Sequence, residues 1–120
     1  MKYEFQKYER RGERMSSPAV TVTRRCLIFN VASAEKYLKD SEHVELYFDN
    51  TNMAVGILPL KEETKDSFPI KKYRRKSPVT IVNASRFISH FGIMDILEKR
   101  KSFMVKEGEK GMLMLRLLQE

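Results

Sequence analysis

Phe29-Asn-Val-Ala-Ser33 lies over Ile81-Val-Asn-Ala-Ser85 at an offset of 52, and this doubled stretch decides how the chain reads. Each copy ends a β-prone run, Cys26 to Phe29 in one and Val79 to Val82 in the other. Asn30, Ser33, Asn83 and Ser85 are N-cap candidates, because their side-chain oxygens can accept the free N–H groups of a first helical turn. Short helices are expected over Ala32 to Leu38 and Arg86 to Phe91, the second stopped by Gly92. Upstream, Val20-Thr-Val-Thr23 alternates with the period of a half-buried strand, and Arg24-Arg25 falls at a turn. Ile70 to Tyr73 precedes the second copy in the same way, with the turn Arg74-Arg75-Lys76-Ser77-Pro78 after it.

Downstream of each helix the pattern is that of a hairpin. Val44, Leu46 and Phe48 alternate with polar positions, and Asp40-Ser41-Glu42 is the turn before them. Asp49-Asn-Thr-Asn52 is a hairpin loop, since Asn and Asp tolerate left-handed backbone. Met53, Val55 and Ile57 form the return strand, closed by Pro59. In the second half the strand Ser102 to Lys106, the loop Glu107-Gly-Glu-Lys-Gly111 and the return strand Met112 to Leu118 follow at an offset of 58. The six extra residues fall within Met94 to Lys101, where a further helical turn is expected. Lys61 to Phe68 is a polar connector. The expectation is one α+β domain over residues 1–120, β-rich, made of two similar β-β-α-β-β halves, 19–60 and 68–118, behind an N-terminal arm, 1–16.

At 120 residues the chain suits one domain able to bury about two-thirds of its unfolded surface. With 42% hydrophobic and 32% charged residues it reads as neither disordered nor membrane-embedded. Its strongly apolar stretches, such as Met112 to Leu118, are far short of a span, and Met1 to Arg14 lacks the apolar core of a signal peptide. A single cysteine, Cys26, allows no internal disulfide and fits a cytoplasmic location. With only His43 and His90 beside it, no zinc site is expected, nor any other metal or cofactor.

The net charge is +7, unevenly placed. Residues 32–66 carry four basic against eight acidic groups, while residues 67–106 carry ten basic against two acidic. The densest run is Lys71-Lys72-Tyr-Arg74-Arg75-Lys76. A strand entering a turn cannot hold all these charges on one face, and those in the turn project freely. Lys and Arg there would neutralise phosphates and release condensed counterions. Arg24 and Arg25 occupy the corresponding turn of the first half, so each half sets a basic turn before its second strand. Lys99-Arg100-Lys101 is a further basic run. The nucleic-acid-binding candidates are therefore Arg24, Arg25, Lys71, Lys72, Arg74, Arg75 and Lys76, with DNA as partner.

The order Arg25-Cys-Leu-Ile-Phe-Asn30, short helix, Lys39-Asp-Ser-Glu42, Val44-Glu-Leu-Tyr-Phe48, Asp49-Asn-Thr-Asn52 and Met53 to Leu60 resembles the AbrB-type swapped-hairpin module. Pro59 sits where that family often has a proline. Two such modules in one chain are similar to the MraZ proteins. The resemblance implies an AbrB/MraZ-like barrel and a DNA-binding transcription regulator, with basic residues near each first hairpin, Arg24, Arg25, Arg74, Arg75 and Lys76, touching DNA. The chain departs from the family in having Phe29-Asn30 for the usual Ile-Pro and Ser41-Glu42 for the usual Gly-Asp.

No catalytic pattern emerges. Ser33, Ser85 and Ser89 suit helix caps and surfaces, neither His lies in a catalytic signature, and no phosphate-cradling glycine loop exists. The chain is read as a non-enzyme with no small-molecule substrate. A second class of function is a protein-interaction or self-assembly module, in which the acidic middle of one copy meets the basic segment of another in a homo-oligomer.

Overall fold

The two hairpins expected to open the halves both form, but each completes its pairing with the other half. In the computed structural model, residues 3–5, 17–73 and 79–118 are described. β1 (Ala19–Val22) pairs antiparallel with β2 (Cys26–Phe29) and, on its other edge, with β7 (Lys101–Met104). β5 (Phe68–Tyr73) pairs with β6 (Val79–Asn83) and, through Phe68 and Pro69, with β3 (His43–Asp49). β2 and β6 lie side by side, with Leu27 opposite Val82. β3 returns through β4 (Ala54–Leu60), which pairs with β9 (Leu113–Arg116), and β9 carries the two-residue β8 (Lys106–Glu107).

The resulting nine-stranded order is β7-β1-β2-β6-β5-β3-β4-β9-β8. Its two end strands are consecutive in the chain, separated by Val105 alone. One run of backbone thus borders both ends of the sheet, and the Val105 N–H donates to the Pro18 carbonyl at 3.1 Å. The sheet is nearly closed and barrel-like, within a single β-rich α+β domain.

Strand alternation fills the interior. Val20 and Val22, Leu27 and Phe29, Val55 and Ile57, and Leu113 and Leu115 all point inward and are buried. Burying such side chains contributes roughly 1.5–3 kcal/mol each relative to exposure. Three short helices cover the barrel: α1 (Val31–Tyr37), α2 (Ser85–His90) and α3 (Ile93–Leu97). Leu38, Phe87, Ile88 and Ile93 bring them onto the core. Phe91, just past α2, stacks 4.9 Å from Phe48 of β3 and meets Phe87 edge-on at 5.2 Å. Among the described residues no helix is long and apolar enough to cross a membrane.

Asn30 caps α1 as expected, its Oδ1 accepting from Ser33 N–H at 2.9 Å. The second half differs. β6 runs through Asn83, which pairs with Cys26 and faces outward, so the cap position passes to Ala84 and no side chain caps α2. The Met94 to Lys101 insertion supplies α3 and the bend after it. Pro59 does not end its strand: β4 runs on to Leu60, with Pro59 opposite Val44 in a stretch that β9 no longer flanks. A residue without an N–H is tolerated where a strand has a free edge.

Candidate nucleic-acid interface

Thr23 builds the first basic turn. Its hydroxyl oxygen accepts from the N–H groups of Arg25 (3.2 Å) and Cys26 (3.1 Å), and its own N–H donates to the Cys26 carbonyl at 3.0 Å. A side-chain oxygen bonded to backbone two and three residues on mimics a backbone turn and fixes it. The Ala84 N–H then donates to the Arg25 carbonyl at 2.9 Å, clamping the turn to the start of α2. Arg24 and Arg25 are both exposed, so their side chains extend from a held backbone.

The β1–β7 ladder brings a second basic run to the same place. Lys101 pairs with Val22, so Lys99-Arg100-Lys101 reaches the sheet directly beside the Thr23–Arg25 turn. Lys101 lays its stem along the core edge, with its ammonium 5.7 Å from the Phe103 ring centre. Arg24, Arg25, Lys99, Arg100 and Lys101 are all exposed, and none makes an ion pair among the described residues. Asp95 in α3 and Glu98 just after it are the acidic residues of that neighbourhood.

Lys71 and Lys72 separate, as strand alternation requires. Lys71 stands on the outer face, in a cross-strand row with Ile81, Ile28, Thr21 and Ser102. Lys72 turns to the opposite face. Its ammonium donates to the Ser41 carbonyl at 2.9 Å and lies 4.0 Å from a Glu42 oxygen. It therefore fastens β5 to the turn before β3. Arg74, Arg75 and Lys76 lie outside the described residues.

The Thr23–Arg25 turn and the Tyr73–Val79 pair lie at opposite ends of one ladder. Arg25 adjoins Ala84, at the end of β6. Tyr73 and Val79, which bracket the 74–78 segment, pair at the far end, roughly 13 Å along at about 3.3 Å per residue. Sequence reading named Arg24 and Arg25 but left Lys99, Arg100 and Lys101 out of the site. Their charge was visible in the sequence. Their neighbour was not, because the β1–β7 pairing spans about eighty residues and has no local signature.

A cavity of about 660 Å³ lies elsewhere, on the outer face of β3, β4 and β9 among Tyr47, Gly56, Met112, Met114 and Arg116. It is mainly apolar and holds none of the candidate cations. Among the described residues no group of three or more His, Cys, Asp or Glu side chains gathers as metal ligands would. The strongest local electrostatics lie in the β3–β4 hairpin. Thr64 (2.6 Å) and Tyr47 (2.7 Å) hydroxyls donate to the Glu45 carboxylate and hold its pKa below the usual range. The same bond raises the Tyr47 phenol. Asp49 is lowered first by the Asn52 side chain and then by the Asn52 and Thr51 N–H groups. These groups brace turns and stand apart from the cationic end. No known family's model, no curated protein and no solved structure matches this chain.

Proposed function

We propose that this protein binds DNA as a transcription regulator, contacting phosphates from the cationic end made by Arg24, Arg25, Lys99, Arg100 and Lys101. The observation that carries the reading is the meeting of two basic runs, far apart in sequence, on one rigid corner without carboxylate partners. A cluster of exposed, unpaired cations favours an anionic polymer over a neutral or cationic partner. Lys71 adds a charge on the outer face, and Arg74, Arg75 and Lys76 are proposed as further contacts on their charge alone.

The reading includes an AbrB/MraZ-like architecture of two fused modules. Its support is the strand order, which runs β7-β1-β2 outward from one side of the β2–β6 contact and β3-β5-β6 toward it from the other. Each half lends its first hairpin to the other half, as a swapped hairpin would. The inward faces align Phe29 with Val82, one residue on from the match of the bare sequence, because Ile81 points outward.

The test is a fluorescence titration of a labelled generic duplex over a series of salt concentrations. The expected logarithm of affinity falls linearly with that of salt, at about 0.9 per phosphate neutralised. Replacing Arg24, Arg25, Lys99, Arg100 and Lys101 singly by Ala weakens binding and lowers the slope by about 1 for each residue that contacts a phosphate. Lys72→Ala leaves the slope unchanged, since Lys72 is held by Ser41 and Glu42. Absence of binding, or binding indifferent to salt, overturns the proposal.

A further inference from the structure

A second feature adjoins the cationic end. Arg24, Ser85, Ile88, Ser89, Gly92, Met94 and Asp95 enclose a pocket of about 310 Å³, at the lower limit of ligand-sized cavities. Ser85 and Ser89 are four residues apart on α2 and so share one helix face. Gly92 makes the corner between α2 and α3 with φ +61°, a left-handed conformation that a glycine adopts without strain. Asp95 opens α3 on the far wall, where a Cβ at position 92 would come 3.5 Å from its Oδ2. Met94, half-buried, supplies apolar surface, backed by the buried Ile88. The pocket thus combines a guanidinium, two hydroxyls and an acceptor-only carboxylate around a small apolar bed.

Resting on the nucleic-acid reading above, we infer that this pocket takes one unpaired nucleobase whose amino group stands where thymine and guanine carry a carbonyl, that is, cytosine or adenine. The argument is chemical complementarity. A base has flat apolar faces, one to lie on the half-buried Met94 and one on which the planar Arg24 guanidinium can stack. Its edge carries donors and acceptors for Ser85, Ser89 and Asp95. The carboxylate accepts from an amino group and repels the carbonyl that thymine places at the same position. The neighbouring cations, Arg25, Lys99, Arg100 and Lys101, then meet the flanking phosphates. A stacked, paired base cannot enter such a pocket without leaving the helix, so the site selects single-stranded or unpaired nucleotides.

The experiment compares labelled oligo(dC), oligo(dA) and oligo(dT) of 12 nucleotides with a mixed duplex of equal length by fluorescence anisotropy, at low and moderate salt. Oligo(dC) or oligo(dA) is expected to bind about tenfold more tightly than oligo(dT) and than the duplex, the scale of one base contact. Ser89→Trp, which fills the pocket from an exposed helix position, abolishes that advantage and leaves the salt slope intact. Asp95→Asn narrows the gap between oligo(dC) and oligo(dT). Circular dichroism checks that both variants keep the fold. Salt-dependent duplex binding with no single-strand preference, or with a preference that Ser89→Trp leaves intact, overturns this inference and spares the DNA reading. Failure of every oligonucleotide to bind overturns both.

Discussion

Asn30 ties three segments together with one amide. Its Oδ1 accepts from Ser33 N–H at the start of α1 and from Ala19 N–H in β1 at 3.1 Å, and its Nδ2 donates to the Ser17 carbonyl at 2.8 Å. Asn30→Ala removes a helix cap and leaves part-buried backbone groups unsatisfied. The expected loss is about 2 kcal/mol, read by denaturant unfolding, at the upper end of the range for caps. Asp49 gives a prediction in pH. Its folded pKa lies below its ordinary value, so its contribution to stability is complete above that ordinary value. It is lost as pH falls through the lower, folded one. Carboxyl NMR should show Asp49 titrating more acidic than a random-coil aspartate. Asn52→Ala, which removes the first cause of the shift, should move it back up. Asn30 was legible as a cap because its role is local in sequence. Its bonds to Ser17 and Ala19 were not, because they depend on where the chain before β1 runs.

At the scale of elements, most strands, loops and helices follow from alternation and turn chemistry and lie within a residue or two of the sequence reading. The strand expected over Ser102 to Lys106 instead splits at Val105 into β7, which pairs with β1, and the two-residue β8, which pairs with β9. What alternation cannot fix is where an outward-facing residue meets another element. Gly56 is such a case. It lies on the outer face between Tyr47 and Met114, and a Cβ there would sit 2.7 Å from the Met112 sulfur. A methionine side chain is flexible enough to give way. Gly56→Ala is therefore expected to cost under about 1 kcal/mol, and Met112→Ala should remove that cost; thermal unfolding of the two singles and the double measures it. A branched residue at 56 would also crowd the Tyr47 Cβ, 3.4 Å from where its own Cβ would sit, and should cost more. The 61–67 connector behaves similarly. It reads as a loose linker by composition, yet Thr64 and Ser67 bond to each other and Thr64 reaches Glu45, so it is fastened to β3.

For the whole molecule, the halves are not separable units. β1 finds its second partner in β7, and β4 finds its own in β9. A chain ending at residue 66 therefore leaves one side of β1, β2 and β4 unpaired and exposes Val20, Phe29 and Val55 to water. It is expected to show no cooperative unfolding transition by circular dichroism, whereas the full chain shows one. The cationic corner has the same origin, since only the β1–β7 pairing brings Lys101 to Val22. Charge totals along the sequence separated an acidic middle from a basic second half. The corner joins residues from the first hairpin to that second half, a grouping that no linear window contains.

The strand shared by both ends of the sheet has a consequence for how the protein is made. During synthesis β1 and β2 emerge well before their partners β7 and β6, β7 some eighty residues after β1, so the first hairpin waits with both edges open. Pairings this distant in sequence close slowly and late. While they remain open, the β7 of a neighbouring chain offers the same hydrogen bonds as the chain's own. Refolding at high concentration should accordingly yield exchanged dimers, visible by light scattering, in a proportion that falls on dilution.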